Sequence, residues 1–390
     1  MVIYLIAFVV SIISYLLFSK SLVRDGRMSR HEHSNDCKIG LFEKRPMLPF
    51  VISAMPLILV SGLRYNVGTD YFKTYYTGFY RVMQGNGFDK FEIGYVALVK
   101  LIQVFTSNVF VLFFITSVIT IGFTFAAVRH MSSNVAFSIL LFMISRYYFI
   151  GLNAVRQMMA CAVFSYALVF ALRRDLKKYL VFALLAVSFH YSTLILVPTY
   201  WLMMISWTPK KTILTLMITG ILGTVAFPIL AYVLPSASKW GIILANYSLA
   251  GSLFIFGTIV LNIFILIVYY SVGEHYKHGR AYQCFLYLQI MAVAMTLLLP
   301  SIPVVERVYW SFSYASIICL PAILSNVKPV WWRAVARSLL IGVLAIYTAY
   351  DIGILYDHQV IPYDSIIGKE PEYSTDFGYR QTHNLNRWYG

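Results

Sequence analysis

Near the middle of the chain stands the stretch NAVRQ, residues 153–157, which leads directly into an apolar run over residues 158–172. Together they predict a helix long enough to cross a membrane. Asn153, Arg156 and Gln157 are spaced by three and four residues, so the pattern predicts that they share one helical face. A charged face within a membrane segment is costly and usually turns towards a partner or a polar cavity. We interpret this face as an anion site that opens to the outer side of the membrane.

The composition is that of an integral membrane protein. Hydrophobic residues make up 59% of the 390 residues and charged residues 12%, and the mean hydropathy is +0.72. Apolar runs recur along the chain, whereas the strands of a membrane barrel would alternate apolar and polar residues. We therefore predict an all-α fold, a single polytopic transmembrane helix bundle over residues 1–355. It should contain about ten full spans, a short hairpin and an interfacial or re-entrant helix.

The net charge of +15 taken alone would suggest a nucleic-acid partner. Much of the positive charge lies in short loops between apolar runs, where membrane topology explains it better. We therefore expect the lipid bilayer, and no nucleic acid, as a partner. The four cysteines have no spacing typical of a metal site, and the chain has no glycine-rich nucleotide loop followed by a helix. We expect neither a metal ion nor another cofactor.

The distribution of Lys and Arg predicts the orientation of the bundle. Residues 19–46 carry seven of them, which places this basic loop in the cytoplasm and the N-terminus outside. The alternation of apolar runs then makes residues 64–108 an external loop and residues 356–390 an external C-terminal tail. Inside the external loop, Glu92 precedes an apolar segment over residues 93–105. Such a helix covers about 20 Å, less than the hydrocarbon core, so we expect it to lie in the interface or to re-enter.

The segment over residues 179–205 is ambiguous, because a single helix of this length would reach about 40 Å. One crossing would put Lys210 and Lys211 outside and invert every later loop. Two short arms that meet near His190, with Pro198 breaking the second arm, keep both lysines in the cytoplasm. The charge rule therefore favours a hairpin with His190 near its outward tip.

Charged and titratable residues gather on the external side of this topology. They are Arg64, Asp70, Lys73, Arg81, Glu92, Arg146, Arg156, His190 and Arg307. Any of them could instead reach lipid phosphate at the interface or close a loop, and for Lys73, Arg81 and Arg146 this alternative stays open. For Arg307 the alternative is an ion pair with Glu306 at the start of a helix.

This set of side chains suits a reaction at a lipid-linked phosphate or pyrophosphate. Guanidinium groups bind phosphate oxygens bidentately, and fixed arginines would stabilise the charge that develops on a departing phosphate. A general base among Asp70, Glu92 and His190 would take the proton from an attacking sugar hydroxyl, and the sequence does not choose among the three. External tyrosines such as Tyr71 would either stack on sugar rings or form an interfacial aromatic belt.

Five short motifs open or close apolar runs between residues 60 and 310. They are Arg64…Gly68-Thr69-Asp70-Tyr71, Glu92-Ile93-Gly94-Tyr95, Asn153…Arg156-Gln157…Ala160, Ala186…Phe189-His190-Tyr191-Ser192 and Glu306-Arg307…Tyr309. In this order they resemble the EpsG-type branch of the Wzy-like bacterial exopolysaccharide and O-antigen polymerases. The tail motif Ile361-Pro362-Tyr363 also fits this resemblance.

The resemblance implies a metal-independent membrane glycosyltransferase of polysaccharide biosynthesis. Such a polymerase transfers a growing glycan from undecaprenyl pyrophosphate onto the next lipid-linked oligosaccharide repeat unit. It would act at the outer leaflet of the bacterial cytoplasmic (inner) membrane, on a fold resembling the membrane glycosyltransferases that use polyprenyl donors. A co-polymerase that regulates chain length is a further candidate partner.

The resemblance also assigns expected roles to single residues. Arg64, Arg156 and Arg307 would bind the pyrophosphate, and Asn153 and Gln157 would orient the substrate. Tyr71, in the first motif, is a further candidate for substrate binding. His190, Glu92 and Asp70 are the candidate catalytic bases.

Two alternatives belong to other functional classes. A flippase or transporter of lipid-linked sugars would also need cationic groups near a lipid phosphate, but the chain shows no inverted repeat of matched broken helices. An O-antigen ligase or an acyltransferase acting on surface glycans would share the lipid surroundings and differ in its second substrate.

Overall fold

Helices form nearly all of the computed structural model, which describes residues 1–24, 41, 45–86, 90–233, 249–299, 305–355 and 358–372. Within these ranges the chain has two isolated β-bridges and no strand. The predicted all-α architecture is confirmed. Most of the predicted basic loop over residues 19–46 and the last part of the tail, residues 373–390, lie outside the described residues.

The described helices are numbered here in chain order. They are α1 (Val2–Arg24), α2 (Leu48–Gly62), α3 (Thr77–Met83), α4 (Ile93–Phe105), α5 (Phe110–Met131), α6 (Val135–Ile144), α7 (Tyr147–Asn153), α8 (Val155–Leu172), α9 (Leu176–Phe189), α10 (Thr199–Leu202), α11 (Pro209–Val233), α12 (Leu249–Tyr270), α13 (Glu274–Lys277), α14 (Arg280–Leu298), α15 (Val305–Ser313), α16 (Ser316–Ser325) and α17 (Val330–Tyr350). Wider π-helical turns occupy Tyr71–Tyr76 and Asp351–Leu355, and a tighter 3-10 helix occupies Tyr191–Leu196.

Six of the described helices are long and apolar enough to cross a membrane, and the number rises to eight if each of two bent pairs is one span. The bent pairs are α6 with α7, at 52°, and α15 with α16, at 49°. The chain is therefore a multi-pass membrane protein, while the count of about ten full spans stays a prediction. Helix α4 has the bounds of the predicted short apolar segment.

Helix α8 is the centre of the bundle, with 83% of its length buried. Helices α5 and α9 pack most extensively along it. Its fully buried small residues Ala160, Ala162 and Ala167 let neighbouring backbones come close, which is the usual basis of helix packing in lipid. The packing therefore fixes the N-terminal turn of α8, with Arg156 and Gln157, among the elements around it.

The chain breaks immediately before α8. Asn153 is the last residue of α7, and Ala154, with φ −83° and ψ 59°, is not helical. Asn153 therefore does not share a helical face with Arg156 and Gln157, and that prediction is wrong. Because of this break, the side chain of Asn153 extends in a different direction from those of Arg156 and Gln157.

The segment around His190 turns back on itself as the charge rule favoured. Helix α9 ends at Phe189, and His190 is extended, with φ −158° and ψ 116°. The hydroxyl of Tyr179 donates to the carbonyl oxygens of Leu196, at 3.1 Å, and Val197, at 2.8 Å. In a straight helix, residues 179 and 196 would lie about 25 Å apart, so the predicted hairpin is confirmed.

Residues 358–372 of the tail form a strap over the stretch that follows α2. The backbone of Arg64 forms a bridge with Ser365, and the N–H of Gly68 donates to the carbonyl of Gln359 at 3.1 Å. The strap also reaches α1, where the hydroxyl of Tyr4 donates to the carbonyl of Val360 at 2.7 Å. This part of the tail, which the sequence left without assigned structure, is thus packed on the bundle.

Candidate active site

Three predicted site residues from distant parts of the chain meet on one carboxylate. Glu92 caps the start of α4, Arg156 lies in the first turn of α8, and His190 lies at the turn of the hairpin. The guanidinium of Arg156 forms an ion pair with Glu92. His190 Nδ1 lies 2.6 Å from the other carboxylate oxygen of Glu92. The carboxylate of Glu92 is therefore in direct contact with both a base, His190, and a fixed cation, Arg156.

Gly94 allows α4 to bring Glu92 this close to the hairpin. A Cβ atom at position 94 would lie only 2.8 Å from the backbone oxygen of Ser188, near the end of α9. Because this is closer than real Cβ contacts, any larger residue would force the two helices apart. The glycine in the second sequence motif therefore has a packing role that supports the contact between Glu92 and His190.

Aromatic side chains surround the guanidinium of Arg156. Its central carbon lies 5.0 Å from the ring centre of Phe91 and 5.8 Å from that of Tyr95, distances at which a cation is attracted to the ring face. The hydroxyl oxygen of Tyr75 accepts from the backbone N–H of Arg156 at 3.4 Å. These contacts hold the cation in position before any substrate binds.

The hydrogen-bond partners define the protonation state of the pair. Burial would raise the pKa of Glu92, but the hydrogen bond from His190 and the charge of Arg156 outweigh it and hold that pKa below its ordinary value of 4.5. Since an ionised carboxylate only accepts, His190 Nδ1 must be the donor. In the neutral ring this leaves the lone pair of His190 on Nε2.

The lowered pKa of Glu92 gives a testable pH dependence. The pKa of Glu92 is lower in the folded than in the unfolded chain. Ionised Glu92 therefore stabilises the fold at pH values above its pKa in the unfolded chain. This contribution is lost as the pH falls through its pKa in the folded chain. We expect the Glu92→Gln variant to melt below the wild type by a steady margin from pH 7 down to about pH 5. At more acidic pH the margin should shrink. Thermal unfolding of both purified proteins would measure this, and a margin that widens on acidification would contradict it.

A second cluster is organised by the side chain of Asn153. Its Oδ1 accepts from the hydroxyl of Thr69 at 2.9 Å and from the backbone N–H of Asp70 at 2.8 Å. Asp70 in turn accepts from the hydroxyl of Thr74 at 3.0 Å. On its other side, Asn153 Nδ2 lies 3.0 Å from Nδ1 of His358 in the strap. Asn153 therefore joins the first motif and the tail to the helix break.

Gln157 connects the start of α8 to the last motif. Its side-chain amide donates to the carbonyl oxygen of Arg307, in the first turn of α15. The side chain of Arg307 is exposed and has no ion-pair partner among the described residues. The backbone of Arg307 therefore lies next to the side chain of the residue that follows Arg156.

Two predicted substrate-binding residues are buried elsewhere in the structure. Arg64 is 1% exposed, has its guanidinium over the ring of Phe113, and donates to the carbonyl of Ser61. The ring of Tyr71 is 0% exposed and stacks on Phe113 with centres 4.1 Å apart. Neither side chain forms a hydrogen bond or an ion pair with Glu92, Arg156 or His190 within the described part of the chain.

Arg146 lies inside the bundle, whereas the sequence left open a position at the membrane interface. It lies between α6 and α7 in the left-handed region, with φ 68°, and forms an ion pair with Asp351 at 3.0 Å. Both side chains are almost fully buried, at 4% and 1% exposed. The rings of Phe254 and Tyr347 lie 4.6 and 4.7 Å from the guanidinium. Arg146 therefore stabilises the interior of the bundle.

The model of the EpsG family matches residues 47–365, which is well over half of the chain. The chain belongs to the EpsG family. The matched range includes every motif described above and most of the strap. Searches of curated proteins and of solved structures find no match.

Membership in the EpsG family indicates an exopolysaccharide-related polymerase. The EpsG-family protein described here brings together Glu92, Arg156 and His190, with Gln157 and Arg307 adjacent. It holds Asn153 and Asp70 in the neighbouring cluster.

Sequence reasoning missed two residues of this EpsG-family protein. Asp351 lies inside the last apolar run, and an acid at that position was a signal that could have suggested a partner for Arg146. His358 lies in a tail without periodicity, so nothing in the sequence pointed to its contact with Asn153.

Proposed function

We propose that this protein is a polysaccharide polymerase that transfers a growing glycan from undecaprenyl pyrophosphate onto the next lipid-linked oligosaccharide repeat unit. We place the reaction at the outer leaflet of the bacterial cytoplasmic membrane. The observation that carries the proposal is the contact of Arg156 and His190 with the single carboxylate of Glu92. This contact joins a base and a fixed cation, both of which the transfer needs. The protein that contains it belongs to the EpsG family.

His190 fits the role of general base better than Glu92 or Asp70. The carboxylate of Glu92 has a lowered pKa and is engaged by both Arg156 and His190, so it has little tendency to take a further proton. Asp70 belongs to the Asn153 cluster. The Nε2 lone pair of His190 would accept the proton of the acceptor hydroxyl, and Glu92 would stabilise the imidazolium that forms, as carboxylates do in catalytic triads.

The transfer forms one glycosidic bond and breaks one bond to the lipid carrier. The acceptor oxygen attacks the anomeric carbon of the donor glycan as its proton moves to His190. The bond from that carbon to the pyrophosphate oxygen breaks, and undecaprenyl pyrophosphate leaves with the electron pair. Arg156 and Arg307 would stabilise the charge that develops on the leaving group, an interaction stronger in the transition state than with the substrate.

Arg307 gives the first test of this assignment. Loss of a charge-assisted hydrogen bond to the leaving pyrophosphate should lower kcat/KM of Arg307→Ala by about 10- to 100-fold. Arg307→Lys should recover part of this, because lysine keeps the charge and loses the bidentate geometry. Elongation rates of purified protein in proteoliposomes would measure the effect. The matched control is Arg337→Ala, an exposed arginine that lies over the ring of Phe137. Equal rates for Arg307→Ala and wild type would remove Arg307 from the mechanism.

A single reconstitution separates the polymerase from the other functional classes. Purified wild-type protein receives only lipid-linked repeat units, with no second acceptor and no acyl donor. We expect a ladder of longer lipid-linked glycans together with released undecaprenyl pyrophosphate. Movement of the lipid between leaflets without chain growth would indicate a flippase instead. Absence of growth until a different glycan acceptor or an acyl donor is added would indicate a ligase or an acyltransferase. A regulatory co-polymerase would change the length distribution of the ladder.

A further inference from the structure

The strap places His358 in the interior of the protein, where it contacts two parts of the candidate site. The ring is 7% exposed, and its Nδ1 lies 3.0 Å from Nδ2 of Asn153. The centre of the ring is 5.9 Å from that of Trp310, which is one helical turn beyond Arg307 on α15. His358 thus lies between the helix break before α8 and the helix that carries Arg307.

The orientation of the Asn153 amide fixes the tautomer of His358. The backbone N–H of Asp70 can only donate, so the atom of Asn153 that faces it must be the carbonyl oxygen. The amide nitrogen of Asn153 therefore faces His358 and donates to Nδ1. Because Nδ1 accepts, it carries no proton, and the proton of the ring lies on Nε2.

Two buried N–H donors and one buried acceptor are then left without partners among the residues that the structure describes. The donors are His358 Nε2 and Nε1 of Trp310, whose side chain is 5% exposed. The acceptor is Oε1 of Gln157, on a side chain that is 2% exposed and whose amide nitrogen is bound to the Arg307 carbonyl. Leaving such groups buried and unpaired is costly, so their natural complement is a ligand that both accepts and donates.

We propose that His358, Trp310 and Gln157 form a subsite for a sugar residue of the lipid-linked glycan. This inference rests on the proposed polymerase function and names what its site recognises beyond the pyrophosphate. A pyrophosphate offers only acceptor oxygens and a negative charge, whereas sugar hydroxyl and acetamido groups accept and donate and are neutral. The three side chains are also neutral, with donors and an acceptor together, and match the sugar better.

The position of the subsite agrees with this role. Asn153, which holds His358, is three residues from Arg156, so their backbones are at most about 11 Å apart. Gln157 directly follows Arg156, and Trp310 follows Arg307 by three residues on the same helix. A glycan whose anomeric carbon lies near Arg156 and His190 would therefore extend a sugar towards the strap.

Three variants distinguish ligand binding from a structural role. Trp310→Phe removes only the N–H donor and keeps an aromatic ring. His358→Asn keeps an acceptor near the position of Nδ1 and removes the Nε2 donor. The matched control is Trp331→Phe, which changes an exposed tryptophan at the start of α17. Each full-length protein in detergent would be titrated with two lipids by native mass spectrometry: the lipid-linked repeat unit, and undecaprenyl pyrophosphate without sugar.

We expect Trp310→Phe and His358→Asn each to weaken binding of the sugar-bearing lipid by about fivefold, the usual effect of one hydrogen bond, with binding of the sugar-free lipid unchanged. Trp331→Phe should bind both lipids as the wild type does. Equal weakening for both lipids would assign the donors to the pyrophosphate and overturn the proposal. Unchanged binding with a lowered melting temperature would show a buried water or a structural role, and would also overturn it. Failure of the wild type to elongate the repeat unit would count against the polymerase, whereas normal elongation with unaffected variants would count against the subsite alone.

Discussion

Replacing His190 with alanine is expected to slow glycan elongation by about 10²- to 10⁴-fold, the usual contribution of a general base. The protein should still fold and insert, because His190 lies at a turn and its only side-chain hydrogen bond within the described residues is with Glu92. The rate would be measured in proteoliposomes that contain purified protein and lipid-linked repeat units. Added imidazole should restore part of the activity of His190→Ala, which a purely structural role would not predict.

The control for this experiment is an exposed histidine in the connection between α12 and α14. His278→Ala should elongate at the wild-type rate. Glu92→Gln should be impaired as well, since its amide cannot stabilise the imidazolium as a carboxylate does. If His190→Ala retained wild-type elongation, the base would have to be sought at Asp70, and the mechanism proposed above would be abandoned.

Removal of one partner of the buried ion pair between Arg146 and Asp351 is expected to have the largest effect on stability. Arg146→Met leaves the carboxylate of Asp351 unpaired in the interior, and such a loss typically costs about 3–5 kcal/mol. The double variant Arg146→Met with Asp351→Leu should recover most of this, because apolar pairs often replace buried ion pairs without loss. Equilibrium unfolding of the wild type, Arg146→Met, Asp351→Leu and the double variant would give the four free energies of unfolding that the comparison needs.

An exposed arginine serves as the comparison for this pair. Arg337→Met should change the free energy of unfolding by less than about 1 kcal/mol, because the contact of an exposed cation with a ring, here that of Phe137, contributes no more than this. Additive effects of Arg146→Met and Asp351→Leu in the double variant would show that the two residues do not interact, contrary to the 3.0 Å contact. Arg146 also borders a cavity of about 20 Å³, lined in part by Asn262 and Gln289, which has room for about one water molecule.

The parts of the fold and site that the sequence predicted depend on local patterns. Hydropathy defined the apolar helices, including the short helix Ile93–Phe105, and loop charge favoured the hairpin at His190. Glu92, Arg156 and His190 were each singled out because polar groups next to apolar runs are costly. The sequence predicted that these side chains converge. It could not predict that they touch, because their direct contact depends on how α4, α8 and α9 pack.

The features that the sequence did not predict depend on contacts between distant segments. Nothing local indicated that Ala154 would end a helix, because alanine is the best helix former. The backbone of Arg64 pairs with Ser365 in the strap, which is far away along the chain. The pairing of Arg146 with Asp351 likewise joins two spans whose proximity no local pattern reveals.

The strap has a consequence for how the protein matures in the cell. The ribosome synthesises residues 358–372 after every helix described here, and they dock against both the first helix and the stretch after the second. Until that moment Arg64 and Gly68 lack their backbone partners Ser365 and Gln359, and Asn153 lacks the histidine that it contacts. A chain that stops before residue 358 would therefore contain the Glu92 cluster without the contact between Asn153 and His358.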